Sequence, residues 1–248
     1  MSKNTRNHGK NNRPPQKGGK PQQPQNPQQQ QQKQPQKQQQ QQKQKEKILR
    51  LFFCGELPDE QRAKLVEIQN HFKSQNVDVK WVEPENLHLT LCFLGEIKER
   101  RLGELEKLGR DVSKLYGSFD MSLKGIGTFP PKGPPKVLWI GIEEGKKNIS
   151  MLAGAIESRI ANFKPEFEFQ AHLTLGRFRN ENVPEQTLIA LTTTAFETPS
   201  WHFDSFLLRE STLTPAGPSY KTVFNFPLAP KDRIIQEPPP RVSSFLRY

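Results

Sequence analysis

Apolar residues are spread unevenly along the chain. Residues 1 to 46 contain no Leu, Ile, Val or Phe and are mostly Gln, Lys, Pro, Asn and Gly. Such a segment buries too little apolar surface to offset its ordering entropy, so disorder is expected there. Folding is expected to begin at Ile48-Leu49-Arg50-Leu51-Phe52-Phe53, which reads as a buried strand closed by Gly55. Ala63, Leu65, Val66, Ile68 and Phe72 then recur with the period of an amphipathic helix over 58–74. A short strand over 79–82 and a turn at Pro84-Glu85-Asn86 precede an alternating strand over 87–94, ended by Gly95. Leu102, Leu105, Leu108 and Val112 mark a helix over 98–116. Strands are predicted over 119–129 and 137–142, around the Pro-rich link 130–135. A helix over 146–163, a strand over 167–178, a helix over 184–194 and strands over 201–209 and 221–226 complete the series. Residues 229 to 248, with Pro238-Pro239-Pro240, read as a second tail.

Strands grouped around interspersed helices indicate an α+β domain over 47–228, with mostly antiparallel pairing. Two related halves are suggested as well. His88 and His172 each follow a helix and sit on a predicted strand, 84 positions apart.

Charge adds less than it first promises. The formal net charge is +11, and a strongly basic chain suggests nucleic-acid binding. However, residues 1 to 46 hold ten Lys/Arg against one acid, Glu46, which leaves the remainder at +2. The basic tail is then either a loose, salt-dependent tether to RNA or a solubilising extension. The two cysteines, Cys54 and Cys92, lie in apolar strand-like runs, suit small core positions and fit a reducing compartment. Without a signal-type apolar run or a stretch of transmembrane length, a soluble, cytoplasmic chain with no membrane partner is expected. A monomer is expected too.

The candidate chemistry lies in two identical tetrapeptides, His88-Leu89-Thr90-Leu91 and His172-Leu173-Thr174-Leu175. Side chains on a strand alternate between faces, so each His shares a face with its Thr while the leucines anchor the strand. Two imidazoles and two hydroxyls facing one cleft suit phosphodiester hydrolysis. A neutral imidazole takes a proton from water, and a protonated one gives a proton to the departing oxygen. The threonine hydroxyls bond the phosphoryl oxygens. An isolated histidine on a strand is usually structural; two copies in matching contexts make a shared site the stronger reading. A zinc site falls short of the usual three protein ligands, so neither metal nor cofactor is expected.

These motifs resemble those of the 2H phosphoesterases, and within them the RNA 2′,3′-cyclic phosphodiesterases, also called 2′-5′ RNA ligase-like proteins. The resemblance covers roughly residues 47 to 228. It includes Pro84 to Gly95, the Phe-Pro and Leu-Trp-Ile-Gly elements between Gly125 and Gly141, His172 to Arg177, and Ser211 to Tyr220. It implies a bilobal α+β fold, with two antiparallel sheets around a central cleft and helices outside. It also implies that His88 is the proton donor, that His172 is the proton acceptor, and that RNA ending in a 2′,3′-cyclic phosphate is opened to a 2′-phosphomonoester. Reversal to join 2′-5′ ends, a non-catalytic RNA- or nucleotide-binding module, and a tail-driven assembly protein are the alternatives.

Three further residues are weaker substrate-binding candidates. Arg177 can clamp phosphate if a bulge near Gly176 turns it back to the histidine face. Phe129 and Trp139 can stack a base, although large aromatics are more often core. His71, His202 and Tyr220 read as structural, and His8 falls in the tail.

Overall fold

In a computed structural model of the chain, residues 46–231 are described, apart from 76, 162–167, 181 and 216. The expectations for residues 1–45 and 232–248, including His8, lie outside the described residues.

Ten strands and four α-helices follow one another among the described residues. They are β1 (Ile48–Gly55), α1 (Asp59–Ser74), β2 (Val79–Trp81), β3 (Leu89–Lys98), α2 (Leu102–Ser113), β4 (Phe119–Met121) and β5 (Leu123–Phe129), then β6 (Val137–Ile142), α3 (Lys146–Arg159), β7 (His172–Phe178), α4 (Glu185–Thr193), β8 (Trp201–Phe203), β9 (Ser205–Thr214) and β10 (Gly217–Pro227). One sheet has the order β10-β9-β1-β3, a second has the order β2-β7-β6-β5, and β4 pairs β8 separately. Every pair of named strands is antiparallel.

The connectivity repeats. Apart from the short β2, which lies between α1 and β3, a strand, a helix, a motif strand, a second helix and two more strands occur as β1-α1-β3-α2-β4-β5 and again as β6-α3-β7-α4-β8-β9. The last strand of each unit leaves its own sheet: β5 pairs β6, the opening strand of the second unit, and β9 pairs β1, that of the first. The helices cross over too. α1 docks on the second sheet, where Phe72 stacks on Trp81 with ring centroids 6.4 Å apart, while α3 packs against β3 of the first. Neither half can bury its apolar faces alone, so the exchange joins both into one core.

Local sequence accounts for these elements. α1 has Asp59 and Glu60 in its first turn and Lys73 in its last, complementing the helix dipole. Its buried side includes Leu65, Ile68 and Phe72. In β1, Leu49, Leu51 and Phe53 enter the main core, whereas Phe52 and Cys54 join Leu207 and Tyr220 on the opposite face. Both cysteines are buried and free; burial pushes the Cys54 thiol up to about 12 and raises that of Cys92.

Several predicted segments differ. The strand expected over 119–129 is two strands, β4 and β5, parted at Ser122 and placed in different sheets, and 201–209 divides likewise at Asp204. The β3 strand runs on through Gly95, whose φ of 70° places it in the left-handed region beside a ladder irregularity, instead of ending there. Residue 229, expected to start the tail, remains bonded to the domain: the Ala229 N–H donates to Tyr116 O at 2.9 Å, and Lys231 pairs with Asp120. No helix among the described residues is long and apolar enough to cross a membrane.

Candidate active site

β3 and β7 approach one another between the sheets, beside a cleft of about 1340 Å³ lined by His88, Thr90, Phe129, His172, Thr174 and Arg177 among others. Six of the seven candidate residues thus meet at one site. Trp139 does not line it. Its ring fills the space that a side chain at Gly127 would need, and it packs behind Phe129 at a centroid distance of 5.2 Å.

Each imidazole is oriented in the same way. His88 Nδ1 lies 2.6 Å from Asn86 O, and His172 Nδ1 lies 2.7 Å from Gln170 O. A carbonyl only accepts, so Nδ1–H donates in both, and the neutral ring carries its lone pair on Nε2. Thr90 Oγ1 is 3.1 Å from His88 Nε2 and donates its hydroxyl proton there. Burial pulls the His88 pKa down to about 4, with Arg209 and Arg62 adding to the effect against the opposing Asn86 hydrogen bond. The His172 pKa is also lowered, by burial and then by Arg177, against the opposing Gln170 hydrogen bond. Near neutral pH both rings are therefore neutral in the free protein. An anion placed between them would favour the imidazolium form of either ring.

Aromatic rings hold both imidazoles in place. Phe52 and Tyr220 pack on His88 with centroids 5.1 and 5.2 Å away, and Phe129 meets His172 edge-on at 4.8 Å. Arg62 secures the turn before His88, donating to Pro84 O at 2.7 Å and Leu57 O at 3.2 Å. The Asn86 amide donates to Pro218 O at 3.0 Å, which ties this turn to the β9–β10 hairpin.

A matching irregularity in both motif strands sets the direction of the side chains beyond the threonines. In β7, Leu138 pairs Gly176 but Trp139 pairs Thr174, so Leu175 is looped out as a bulge. The face alternation shifts there: Gly176 turns into the core and Arg177 returns to the cleft. The buried Gln69 side chain donates to Leu175 O at 3.0 Å and to Val82 O at 2.8 Å, so the looped-out carbonyl keeps its partners. In β3, Phe53 pairs Cys92 but Cys54 pairs Thr90, which loops out Leu91, the equivalent leucine. Cys92 is thereby buried and Phe93 stands in the cleft at 63% exposure. Strict alternation would have buried Phe93, contributing ~1.5–3 kcal/mol.

Sequence reasoning overlooked Phe93, Gln69, Arg62 and Arg209. Phe93 had a usable signal, because it stands five residues after His88 just as Arg177 stands five after His172. The other three gave none. Their partners are backbone carbonyls or, for Arg209, Glu56 Oε1 at 2.6 Å, 153 positions away. Among the described residues, no group of three His, Cys, Asp or Glu side chains is placed to hold a metal ion. His71 is exposed on α1, and His202 is exposed with Nδ1 3.0 Å from Asp120 Oδ1.

The LigT like phosphoesterase profile matches the chain twice, over residues 56–139 and again over 140–220. The chain belongs to this family. The two matched stretches divide almost where the repeated connectivity does. Among relatives, the RNA 2′,3′-cyclic phosphodiesterase of Archaeoglobus fulgidus is 36% identical over 175 residues, spanning 70% of this chain and 97% of that protein. Its counterpart in Methanothermobacter thermautotrophicus is 34% identical over 177 residues, spanning 69% and 95%. The solved structure of TT0787 of Thermus thermophilus superposes with a TM-score of 0.62 at 32% identity, covering 74% of this chain and all of that one. Escherichia coli LigT complexed with 3′-AMP gives 0.59 at 25% identity, covering 73% and 99%. These likenesses agree with the expected bilobal α+β phosphoesterase fold of two antiparallel sheets.

Proposed function

We propose that this LigT-like phosphoesterase hydrolyses the terminal 2′,3′-cyclic phosphate of RNA to a 2′-phosphomonoester, acting as a monomer without metal or cofactor. The observation that carries this reading is the pair of equivalently oriented imidazoles, one from each half of a single chain, lining one cleft together with two threonine hydroxyls. The activity for which the relatives are named fits that donor set. A nucleotide-bound family member is consistent with a cleft that accepts a ribose phosphate.

The step needs one water and two proton transfers. His172 Nε2 takes a proton from water as its oxygen bonds to phosphorus, the P–O3′ bond breaks, and His88 delivers a proton to O3′. Thr90 and Thr174 donate to the non-bridging oxygens, and Arg177 offsets the charge that develops there. The direction follows the family resemblance; the geometry supplies a competent imidazole on each side. Residues 47–228 carry the activity, so removing 1–46 leaves turnover of a small substrate intact.

An oligonucleotide ending in a 2′,3′-cyclic phosphate, incubated with the protein and EDTA, tests the reading. A 2′-phosphate product is expected, with turnover largely abolished in His88→Ala and in His172→Ala. Undiminished turnover in either variant would exclude the paired site, and nucleotide binding without turnover by the wild type would leave a binding module. Replacing O3′ by sulfur gives a leaving group that needs no proton. Such a substrate should restore His88→Ala but not His172→Ala, and the opposite pattern would reverse the roles.

A further inference from the structure

We propose that Lys80 holds the phosphate on the 5′ side of the terminal nucleotide, so that the cleft prefers a cyclic phosphate at the end of an RNA chain to the same group on a free nucleoside. This rests on the cyclic-phosphate reading above and adds a second phosphate subsite to it.

Lys80 belongs to β2, which stands outside the repeated series. β2 extends the second sheet past β7, whereas β3, the equivalent of β7, is left as an edge in the first. Val79 is buried and Trp81 stacks on Phe72, so alternation sends Lys80 between them to the cleft. There it pairs across the ladder with Arg177, which the bulge at Leu175 has turned to the same face. Two like charges in direct register repel. Cations nearby are neutralised or covered: Arg179 pairs with Asp78 at 3.8 Å, and Lys73 lies over the Trp81 ring at 6.0 Å. Among the described residues Lys80 and Arg177 form no ion pair, and both are exposed. An anion from outside supplies the counter-charge that this pair lacks.

Charge along the cleft gives the bound chain a direction. Glu168 stands before His172 at the opening of β7, and Glu83 and Glu85 stand in the turn before His88. Glu157 comes from α3, which packs against β3 of the first sheet. Arg177 and Lys80 face the other end of β7. A polyanion therefore lies with its remaining chain towards Lys80 and away from the carboxylates. With Leu175 looped out, Arg177 stands two strand steps beyond Thr174, ~7 Å, and Lys80 lies one strand spacing to its side, ~5 Å. The next phosphate of an RNA chain is one nucleotide from the reacting one, and a four-carbon stem spans the remainder. Arg177 stays with the cyclic phosphate, where its planar fork is useful, while the point charge of Lys80 suits a diester of variable orientation. Such a contact reads no base.

The test compares adenosine 2′,3′-cyclic phosphate with the same compound carrying a 5′-methylphosphate, which stands in for the rest of the chain. Wild type should show a lower KM for the 5′-phosphorylated substrate with kcat little changed. Lys80→Met should cut that preference by roughly 5- to 12-fold, between the upper worth of an exposed ion pair and the lower worth of a charge-assisted bond. Lys80→Arg should retain it, and Arg177→Met should weaken both substrates alike. No preference in wild type, a preference that survives Lys80→Met, or one that Arg177→Met removes instead, overturns the proposal. Titration with adenosine 2′-phosphate and adenosine 2′,5′-bisphosphate repeats the comparison without turnover. If the bisphosphate binds more tightly and Lys80→Met removes that advantage, the subsite stands even should hydrolysis fail. If the advantage persists in Lys80→Met, or is missing from wild type, the subsite is excluded whatever the assay of turnover shows.

Discussion

The two lobes carry the same imidazole, hydroxyl and looped-out leucine, but differ in nearly everything around them. On the first sheet the wall beside His88 bears Phe93 on β3 and Arg209 on β9, both paired with Phe52. On the second sheet the positions equivalent by pairing are Arg177 on β7 and Phe129 on β5, both paired with Val137. Arginine and phenylalanine have exchanged places. Arg209 is buried and held by Glu56, with Nε 3.4 Å from Thr222 Oγ1, whereas Arg177 is exposed in the cleft. Duplication supplies a matched pair of imidazoles, and the neighbouring positions then diverge so that one wall presents an arginine to the cleft and the other an aromatic ring.

The histidines make the largest test of that matching. His88→Ala and His172→Ala should each lower kcat by roughly 10²–10⁴-fold, since each removes one proton-transfer role. A loss confined to one variant would show that the lobes are not catalytically paired. Arg177→Met comes next, with an expected fall in kcat/KM of about 10- to 150-fold from the loss of charge-assisted bonds. That fall should be the same with and without a base on the substrate. Arg177→Lys should recover only part of it, because an ammonium lacks the planar fork.

Stability separates the bulges. A side chain at Gly176 would meet Val79 and lie 3.0 Å from Lys80 O, because β2 runs alongside β7. The equivalent Cys92 belongs to β3, an edge strand. Gly176→Ala should therefore cost ~1–3 kcal/mol in chemical denaturation, while Cys92→Ala, which only removes a sulfur, should cost less. Equal costs would mean that β2 yields freely.

The smallest expected effect is on the pH profile. Burial lowers both histidine pKa values, so above the ordinary value of 6.5 both rings are neutral in the free protein. As pH rises, the imidazole that must donate loses its proton, and the basic limb of kcat/KM should fall below pH 6.5. A bound anion favours imidazolium, so the basic limb of kcat should lie at higher pH. Coincident limbs would show that phosphate does not act on these rings.

Much of this protein is legible in one dimension. Leu49, Leu51 and Phe53 alternating in β1, the 3.6-residue spacing of Leu65, Ile68 and Phe72, and the repeated His-Leu-Thr-Leu all arise from local periodicity. Side-chain direction follows from backbone geometry over a few residues, so elements, the two-half layout and the candidate imidazoles could be read before any contact was known. Three things depended on the tertiary structure. The breaks at Ser122 and Asp204 exist because a strand can leave one sheet only by bending towards a partner in the other. The cleft exists because those exchanges bring β3 against β7. The faces of Phe93 and Arg177 depend on bulges at Leu91 and Leu175, set by strand pairing and, for Leu175, by a glutamine 106 positions away. Alternation along His-Leu-Thr-Leu predicts the first four residues of each motif correctly and fails at the fifth, where long-range hydrogen bonds decide which way the chain turns.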